Sequence, residues 1–390
     1  MAKCYLWIIL FTLMACTGSA QETTSEIAGI VVSNDGPSSH ATVTAVHLPT
    51  GTVYTTTTRK DGRYNLPNLK VGGPYIITVS FIGYKEEKQE NILLILGEEF
   101  KADFILDTDY KVLQGLTVNA QPHDKVFNYN RTGSQEIISR LQLERLPAFS
   151  RSLKDFARLI PSASGMSLGG RNGLYNSVTI DGVNFNNVVS ISSSQGKQIP
   201  GPPISLETIE QIQVNITPYD VRMGGFTGSS INSVTRSGTN NMQGAIYSYF
   251  NGADAMGYKV GNTTLPKTDF SYLMKGFYVS GPIVKNKLFF FLSAEREVTL
   301  YPVADFTASD AMHAPGSTVS FANADTLTRL REFLINKYNY DPGEFHGYSY
   351  KTQRDILSAK IDWTINSKNS FILKYNFLNS SRENPAGNTG

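Results

Sequence analysis

The sequence of 390 residues is poor in cysteine and in charge. Its only two cysteines are Cys4 and Cys16, so neither a disulfide framework nor a cysteine-based zinc site can organise the chain. Charged residues make up 17% of the chain and the formal net charge is +2. No strong field of either sign is present, which argues against a nucleic-acid partner.

Long apolar runs are also lacking. After the first 20 residues no uninterrupted apolar run is longer than five residues, the length of Ile92–Leu96. A helix needs about 20 apolar residues to cross a bilayer. Because lipid offers no hydrogen bonds to the backbone, only helices and closed barrels can span it. Any membrane-spanning part of this chain is therefore expected to consist of strands.

Residues 1–20 form a predicted secretory signal peptide. Lys3 supplies a positive charge, residues 5–15 are apolar, and residues 18–20 form a small-residue cleavage site. The segment ending at Cys16 also resembles a lipid-attachment motif, but Met14 fits that motif poorly. Cleavage after residue 20 is therefore favoured over acylation of Cys16, and it leaves a mature chain without cysteine.

Residues 21–107 read as a small β-sandwich, because short β-type runs alternate there with turn residues. The predicted strands are Ile27–Val32, Ala41–Val46, Val53–Thr58, Gly62–Leu66, Tyr75–Phe81 and Phe100–Leu106. The stretches DGRYNLPNL and YIITVSFIGY resemble the carboxypeptidase regulatory-like domain. That resemblance implies a transthyretin-like β-sandwich.

Residues 108–130 form a predicted polar linker that contains LQGLTVNA, from Leu113 to Ala120. This stretch resembles the TonB box of energised outer-membrane receptors, an extended segment that adds a strand to the sheet edge of a partner. An ordinary linker strand is the alternative for so loose a motif. The residues that the resemblance assigns to binding a TonB-type protein are Leu116, Thr117, Val118, Asn119 and Ala120.

Residues 131–241 combine helical and strand patterns, which predicts an α+β module. Apolar residues at helical spacing indicate a helix over 152–160, and Pro161 ends it. Asp181-Gly182 between alternating apolar residues indicates a β-hairpin over 177–183. Further strands are predicted over 209–216 and 230–235.

Three stretches of this module resemble the plug domain of TonB-dependent receptors. They read LERLPAFSRSLKDFARLIPSASG, GGRNGLYNSVTIDGV and SLETIEQIQVNITPYDVRMGGFTGSSINSVTRSGTN. The third is most similar to the Oar-like subgroup. Glycan-importing SusC-like relatives usually carry a run like LYVIDGVP where this chain has NSVTIDGVN, so the resemblance does not extend to polysaccharide specificity.

Residues 242–390 carry long strands in which apolar and polar residues alternate, as in outer-membrane barrels. A short turn at Asn286 and a long polar connection over 298–354 fit the same architecture. Because a barrel needs at least about eight strands, these are interpreted as the first strands of an incomplete transmembrane antiparallel β-barrel, in the N-terminal part of a longer chain. The predicted strands are Ala245–Asn251, Lys275–Pro282, Lys287–Glu297, Asp355–Ile365 and Ser370–Asn379.

The residues predict neither an enzyme nor a cofactor site. Residues 165–169 match G-x-S-x-G, but the strand before and the helix after a nucleophile elbow are lacking. The five histidines are scattered and do not form a metal-binding spacing. The segment after Asp181 lacks the acidic spacing of a calcium loop, so a hairpin turn is favoured there.

Together these resemblances imply a TonB-dependent outer-membrane receptor that takes up a solute through a plugged barrel, with its sandwich in the periplasm. The expected partners are a TonB-type protein, the outer membrane and a solute that is a peptide, a metal chelate or an oligosaccharide. The alternative is a surface adhesin or a secretion-linked outer-membrane protein without energised uptake.

Two groups of plug residues are singled out as candidates. Asn184, Asn186 and Asn187 follow the hairpin and are expected to face the ligand, the alternative being an ordinary solvated loop. A second group, Arg171, Arg222 and Arg236, is expected to pair with acids of the barrel wall and so to seat the plug.

The seating hypothesis predicts that Arg222→Ala increases the leak of small solutes through the receptor, because one contact between plug and wall is lost. The permeability of outer-membrane vesicles that contain the variant measures this leak. An unchanged permeability would count against the seating role.

Overall fold

The computed structural model describes residues 23–108, 135–146, 151, 155–156, 159–164, 167–185, 204–216, 224, 226–264, 270–302, 307–316, 319–345, 349–366 and 369–383. The chain divides into two compact units. The first unit comprises residues 1–243, 279–292 and 358–375. The second comprises residues 244–278, 293–357 and 376–390.

A β-sandwich forms the N-terminal part of the first unit, as predicted. One of its sheets has the order β2–β1–β5, with β8 and β9 parallel to β1, and the other has the order β4–β3–β6–β7. Its strands are β1 (Ser25–Ser33), β2 (Gly36–Pro37), β3 (Thr42–His47), β4 (Thr52–Thr57), β5 (Arg63–Leu69), β6 (Gly72–Ser80), β7 (Glu87–Leu94), β8 (Glu99–Lys101) and β9 (Phe104–Leu106).

The sandwich core follows from period-two alternation along its strands. Val43 and Ala45 of β3 and Ile77 of β6 are fully buried, together with Ile27 of β1. Burial of one such aliphatic side chain contributes about 1.5–3 kcal/mol. At Gly29 a Cβ atom would collide with the carbonyl of Ala102, so this position accepts only glycine where β1 and the β8–β9 segment meet.

Two features of the sandwich differ from the sequence prediction. Strand β7 was missed, because only Ile92 and Leu94 are buried in a segment otherwise rich in Glu and Lys. The predicted single strand over 100–106 is split into β8 and β9, where residues 102–103 interrupt the pairing with β1.

The central domain, over residues 135–235, is built on a five-stranded sheet of order β10–β15–β16–β13–β14. Strand β13 runs parallel to β16, whereas β10 and β15 are antiparallel neighbours. Its elements are β10 (Gln135–Ser139), α1 (Arg140–Arg145), β11 (Ala163–Ser164), β12 (Ser167–Leu168), β13 (Ser177–Ile180), β14 (Val183–Asn184), β15 (Ile209–Asn215) and β16 (Ser230–Thr235).

The predicted helix over 152–160 lies partly outside the described residues. Residues 155–156 are helical, and both Phe156 and Ile160 are buried in the domain core. The predicted strands over 209–216 and 230–235 correspond to β15 and β16, which face the same core through Ile212, Val214 and Ile231.

The hairpin predicted at Asp181-Gly182 is confirmed. Thr179 pairs with Asn184, and Ile180 pairs with Val183, so the connection is a two-residue turn. Asp181 has φ 50° and Gly182 has φ 81°, the left-handed conformation that a type I′ turn requires at both positions. This turn fixes the direction of the Asp181 carboxylate.

The C-terminal part of the chain contains the predicted long strands, each longer than expected, in a sheet of order β17–β20–β21–β24–β25. In β24 the apolar Ile361 and Trp363 are exposed, whereas the alternating Lys360 and Asp362 are buried. The elements are β17 (Gln243–Gly252), β18 (Lys259–Val260), β19 (Thr263–Thr264), β20 (Ser271–Val284), β21 (Leu288–Pro302), β22 (Thr307–Ser309), β23 (Val319–Asn323), α2 (Ala324–Tyr338), β24 (Ser349–Asn366) and β25 (Asn369–Arg382).

The connection between β21 and β24, predicted as a polar loop, contains the 15-residue helix α2. The side chain of Asn323 caps it by accepting hydrogen bonds from the amides of Asp325 and Thr326, and Asn339 ends it in a left-handed conformation. The strong N-cap was the sequence signal that could have revealed this helix. None of the helices in the described ranges is long and apolar enough to cross a membrane.

Candidate functional site

Five charged side chains meet inside the first unit, and they are called the charge cluster below. Lys70 follows β5 of the sandwich, Asp181 occupies the hairpin turn of the central domain, and the other three lie on β24 and β25. Their ionic contacts join all three parts of that unit. The members of the charge cluster are Lys70, Asp181, Lys360, Asp362 and Lys374.

One half of the cluster surrounds Thr235, the last residue of β16. The Asp181 carboxylate accepts hydrogen bonds from the Thr235 amide at 2.9 Å and from its hydroxyl at 2.6 Å. Lys374 Nζ lies 2.9 Å from the same carboxylate, and Lys360 Nζ donates to the Thr235 carbonyl at 3.0 Å. Two lysines of the long strands thus hold the central domain at its hairpin turn and at the end of β16.

The surroundings of Asp181 keep its carboxylate ionised. The side chain is only 3% exposed, and burial alone would raise its pKa. Lys360, Lys374 and the hydrogen bonds from Thr235 outweigh burial, so the pKa of Asp181 falls below its ordinary value of 3.8. The buried negative charge of Asp181 is therefore compensated by lysines of β24 and β25.

The other half of the cluster surrounds Asp362, whose side chain is 6% exposed. Lys70 Nζ lies 3.6 Å from its carboxylate and Lys360 Nζ lies 4.0 Å away. Within the described residues neither carboxylate oxygen accepts a hydrogen bond, so the two lysines compensate its charge only through space. Burial lowers the pKa of Lys70, and the neighbouring Asp362 carboxylate opposes that shift.

A second ionic group lies within the central domain. Arg140 of α1 and Arg151 both pair with the Glu207 carboxylate, each at 2.5 Å. Arg140 also donates to the carbonyls of Leu206 and Ile209 at 3.3 Å. Burial would raise the pKa of Glu207, but the two arginines lower it overall. This group fastens α1 to the start of β15.

Of the predicted seating residues, Arg236 lies against the long strands. Its guanidinium lies 5.7 Å from the ring centroid of Phe291 on β21, a cation–π distance. It also donates to the Glu207 carbonyl and to the Gln243 side chain, both at 3.4 Å. Arg171 is exposed beside β12, where its amide donates to the Leu168 carbonyl. Arg222 lies outside the described residues.

The other predicted site residues are only partly described. Asn184 is exposed at the end of the hairpin strand β14. Asn186 and Asn187 lie outside the described residues, as does the TonB-box-like segment Leu116–Ala120. In the described part of the chain no three His, Cys, Asp or Glu side chains come together as a metal site would require.

Sequence reasoning missed the charge cluster. The sequence predicts Asp181 only as a turn residue, and it predicts no partners for the polar positions of the long strands. A charged residue at an inward position of a barrel strand is the signal that could have marked them, since such a charge must find a partner.

Comparisons with known proteins agree with this architecture. Residues 26–107 match the carboxypeptidase regulatory-like domain, and residues 234–390 match an outer membrane beta barrel domain. The TonB-dependent transporter Oar of Myxococcus xanthus is 25% identical over 353 residues, covering 80% of this chain and 32% of that protein.

Two solved structures show a partial likeness to the chain. The outer membrane transporter YddB from Escherichia coli gives a TM-score of 0.43 at 14% identity, over 64% of this chain and 33% of YddB. The siderophore receptor PirA from Acinetobacter baumannii gives a TM-score of 0.40 at 19% identity, over 64% of this chain and 32% of PirA. The chain thus spans about a third of the length of its relatives.

The chain therefore carries an N-terminal carboxypeptidase regulatory-like domain and an outer membrane beta barrel domain, which places it in the outer membrane. It is homologous to the TonB-dependent transporter Oar, in line with the resemblance of its sequence motifs. Its central domain is called the plug below, after the receptor domain that it resembles, and the inner face of β17, β20, β21, β24 and β25 is called the wall.

The geometry of Asp181 predicts that Asp181→Asn loosens the end of β16. The variant leaves Lys374 with a neutral partner, and breaking a buried ion pair costs about 3 kcal/mol. Hydrogen exchange of the β16 amides should therefore accelerate on the order of 100-fold. The exposed Asp310→Asn serves as a control and should leave these amides unchanged. Equal protection in both variants would contradict the prediction.

The lowered pKa of Asp181 also predicts a dependence on pH. A carboxylate with a lowered folded-state pKa stabilises the fold above its ordinary value of 3.8, and this stabilisation is lost as the pH falls through the folded value. The difference in exchange between wild type and Asp181→Asn should be constant from about pH 5 to 7 and shrink below about pH 4. A constant difference down to low pH would contradict this assignment.

Proposed function

We propose that the chain belongs to an energised importer in which the plug closes the barrel and moves when a solute is taken up. The observation that carries the proposal is the contact of Asp181 and Thr235 with Lys360 and Lys374 of the wall. These contacts are ionic and hydrogen-bonded, so they can break and re-form without covalent chemistry.

The nature of the attachment favours a movable plug over a permanent one. An apolar attachment gains stability from every contact that excludes water, whereas buried ion pairs lose much of their Coulomb energy to desolvation. Water that enters a gap between plug and wall would solvate the lysines and the carboxylate, which lowers the cost of separating them. Such an attachment is specific in position yet releasable.

The linker supplies the second part of the proposal. It joins β9 of the sandwich to β10 of the plug, and it contains the TonB-box-like stretch from Leu113 to Ala120. A TonB-type protein that adds this stretch to its own sheet would hold it through main-chain hydrogen bonds. Force from the inner membrane would then enter the plug at β10. The solute is a peptide, a metal chelate or an oligosaccharide.

We expect deletion of residues 113–120 to abolish uptake while the protein still folds and reaches the outer membrane. The solute class is first identified from the growth of a null strain. It is grown with peptides as the sole nitrogen source, with metal chelates as the sole source of the metal, or with oligosaccharides as the sole carbon source. The deletion strain should then show the same growth defect as the null strain and lose in vivo cross-linking to the TonB-type protein.

Deletion of residues 121–128 is the matched control, because it shortens the linker equally and leaves the motif intact. It should retain both growth and cross-linking. Normal growth of the strain that lacks residues 113–120 would reject energised uptake through this segment and favour the adhesin alternative.

A further inference from the structure

The sandwich contacts the plug through main-chain groups at the end of β7. The Leu96 amide donates to Gln211 Oε1 at 3.2 Å, and Gln211 Nε2 donates to the Leu94 carbonyl at 3.3 Å. These atoms are buried, so the Gln211 amide takes the place of a neighbouring strand. If the two domains separated without water entering, the side-chain amide of Gln211 and the main-chain groups of Leu94 and Leu96 would all lose their hydrogen bonds.

Apolar side chains surround this contact. Val71 and Leu96 of the sandwich pack with Val234 of the plug in one buried cluster, at 7%, 0% and 8% exposure. Gln211 and Val234 are also register partners across β15 and β16. The sandwich therefore contacts one cross-strand pair of the plug sheet, immediately beside Thr235.

A third contact reaches the turn between β20 and β21 of the wall. The Asn240 amide donates to the Pro49 carbonyl at 2.7 Å, and the side chain of Asn240 exchanges hydrogen bonds with Asn286. Gly51 lies so close to Asn286 that a Cβ atom there would collide with it. The 49–51 turn of the sandwich thus lies directly on the wall.

The fourth contact is ionic. Lys70 extends from the sandwich to within 3.6 Å of the Asp362 carboxylate, and its ammonium lies 5.9 Å from the ring centroid of Phe289. Because Asp362 lacks a hydrogen bond in the described residues, withdrawal of Lys70 would leave Lys360, 4.0 Å away, as its ion-pair partner. Lys360 is the same residue that binds Thr235 of the plug.

We propose that this face of the sandwich is a docking surface for the plug and the wall, and that the sandwich is a clamp that keeps the plug closed. It touches the plug at Gln211 and Val234, the β20–β21 turn at Asn286 and the wall at Asp362. The plug end at Thr235 cannot leave the wall while these contacts hold. Opening of the barrel therefore requires the sandwich to undock.

The clamp explains why an N-terminal domain precedes the linker. The linker has the sandwich at one end and the plug strand β10 at the other. If the proposed function holds, a partner that pulls on the linker acts on both ends and releases the clamp together with the plug. Closure by the clamp itself requires no solute and no energy source, so it can be tested separately.

The first test measures passive leak of arabinose into liposomes that contain the full chain as the gene encodes it. Lys70→Met keeps the aliphatic stem but removes the charge, and it should increase swelling rates severalfold because Asp362 loses a counter-charge. The double variant Lys70→Met/Asp362→Asn should return towards the wild-type rate, since no unpaired carboxylate remains. Lys101→Met, at an exposed lysine of the same domain, is the matched control and should not leak.

The second test locks the clamp with a disulfide, because residues 21–390 contain no cysteine. Val71→Cys/Val234→Cys links sandwich to plug within the shared apolar cluster. Subdenaturing urea should open wild-type liposomes to arabinose, whereas the oxidised variant should stay closed until dithiothreitol is added. Thr44→Cys/Thr78→Cys, at partner positions of β3 and β6, links the sandwich only to itself and should open like the wild type.

A Lys70→Met protein that leaks no more than wild type, or a Val71–Val234 disulfide that leaves opening by urea unchanged, would overturn the clamp. Neither assay uses a TonB-type partner or a natural solute. If both leak assays give the expected results but deletion of residues 113–120 leaves growth normal, the clamp stands and the proposed role as an energised importer is rejected.

Discussion

Compensation of buried charge on the inner face of the long strands is the constraint on which the first unit depends. A strand that spans a membrane presents one face to lipid and the other to the interior, so Lys360, Asp362 and Lys374 have to find partners inside. Two of those partners come from outside the wall, namely Asp181 of the plug and Lys70 of the sandwich. Each of the three parts therefore supplies charges that the others need.

The strands were predictable because period-two alternation is a local property. In β24 the exposed Ile361 and Trp363 alternate with buried Lys360 and Asp362, and the sequence alone shows that pattern. Strand β7 escaped prediction because it lies at a sheet edge and buries little, so polar residues fill most of its positions. Helix α2 escaped prediction because none of its residues is buried.

The charge cluster could not be predicted from the sequence, because its contacts join residues that are far apart along the chain. Lys360 and Thr235 are separated by 125 positions, and only the three-dimensional register brings them together. The sequence did identify Asp181 as a turn residue, and the positive φ of the type I′ turn is what aims its carboxylate at Thr235. The expected pairing of plug arginines with wall acids stays a prediction for Arg171 and Arg222, while Arg236 meets an aromatic ring of the wall.

β10 lies at the edge of the plug sheet, and this position decides which hydrogen bonds would break first under tension from the linker. Among the described strands it pairs with β15 alone, whereas β15 and β16 have neighbours on both sides. Tension that enters at Gln135 would break the hydrogen bonds between β10 and β15 one after another. The pairing among the other strands of the sheet would stay intact. The separation would halt at Arg140, whose guanidinium is tied to Glu207. The five residues of β10 can thus detach while the rest of the sheet stays paired, and the ion pair at Arg140 limits the detachment to this strand.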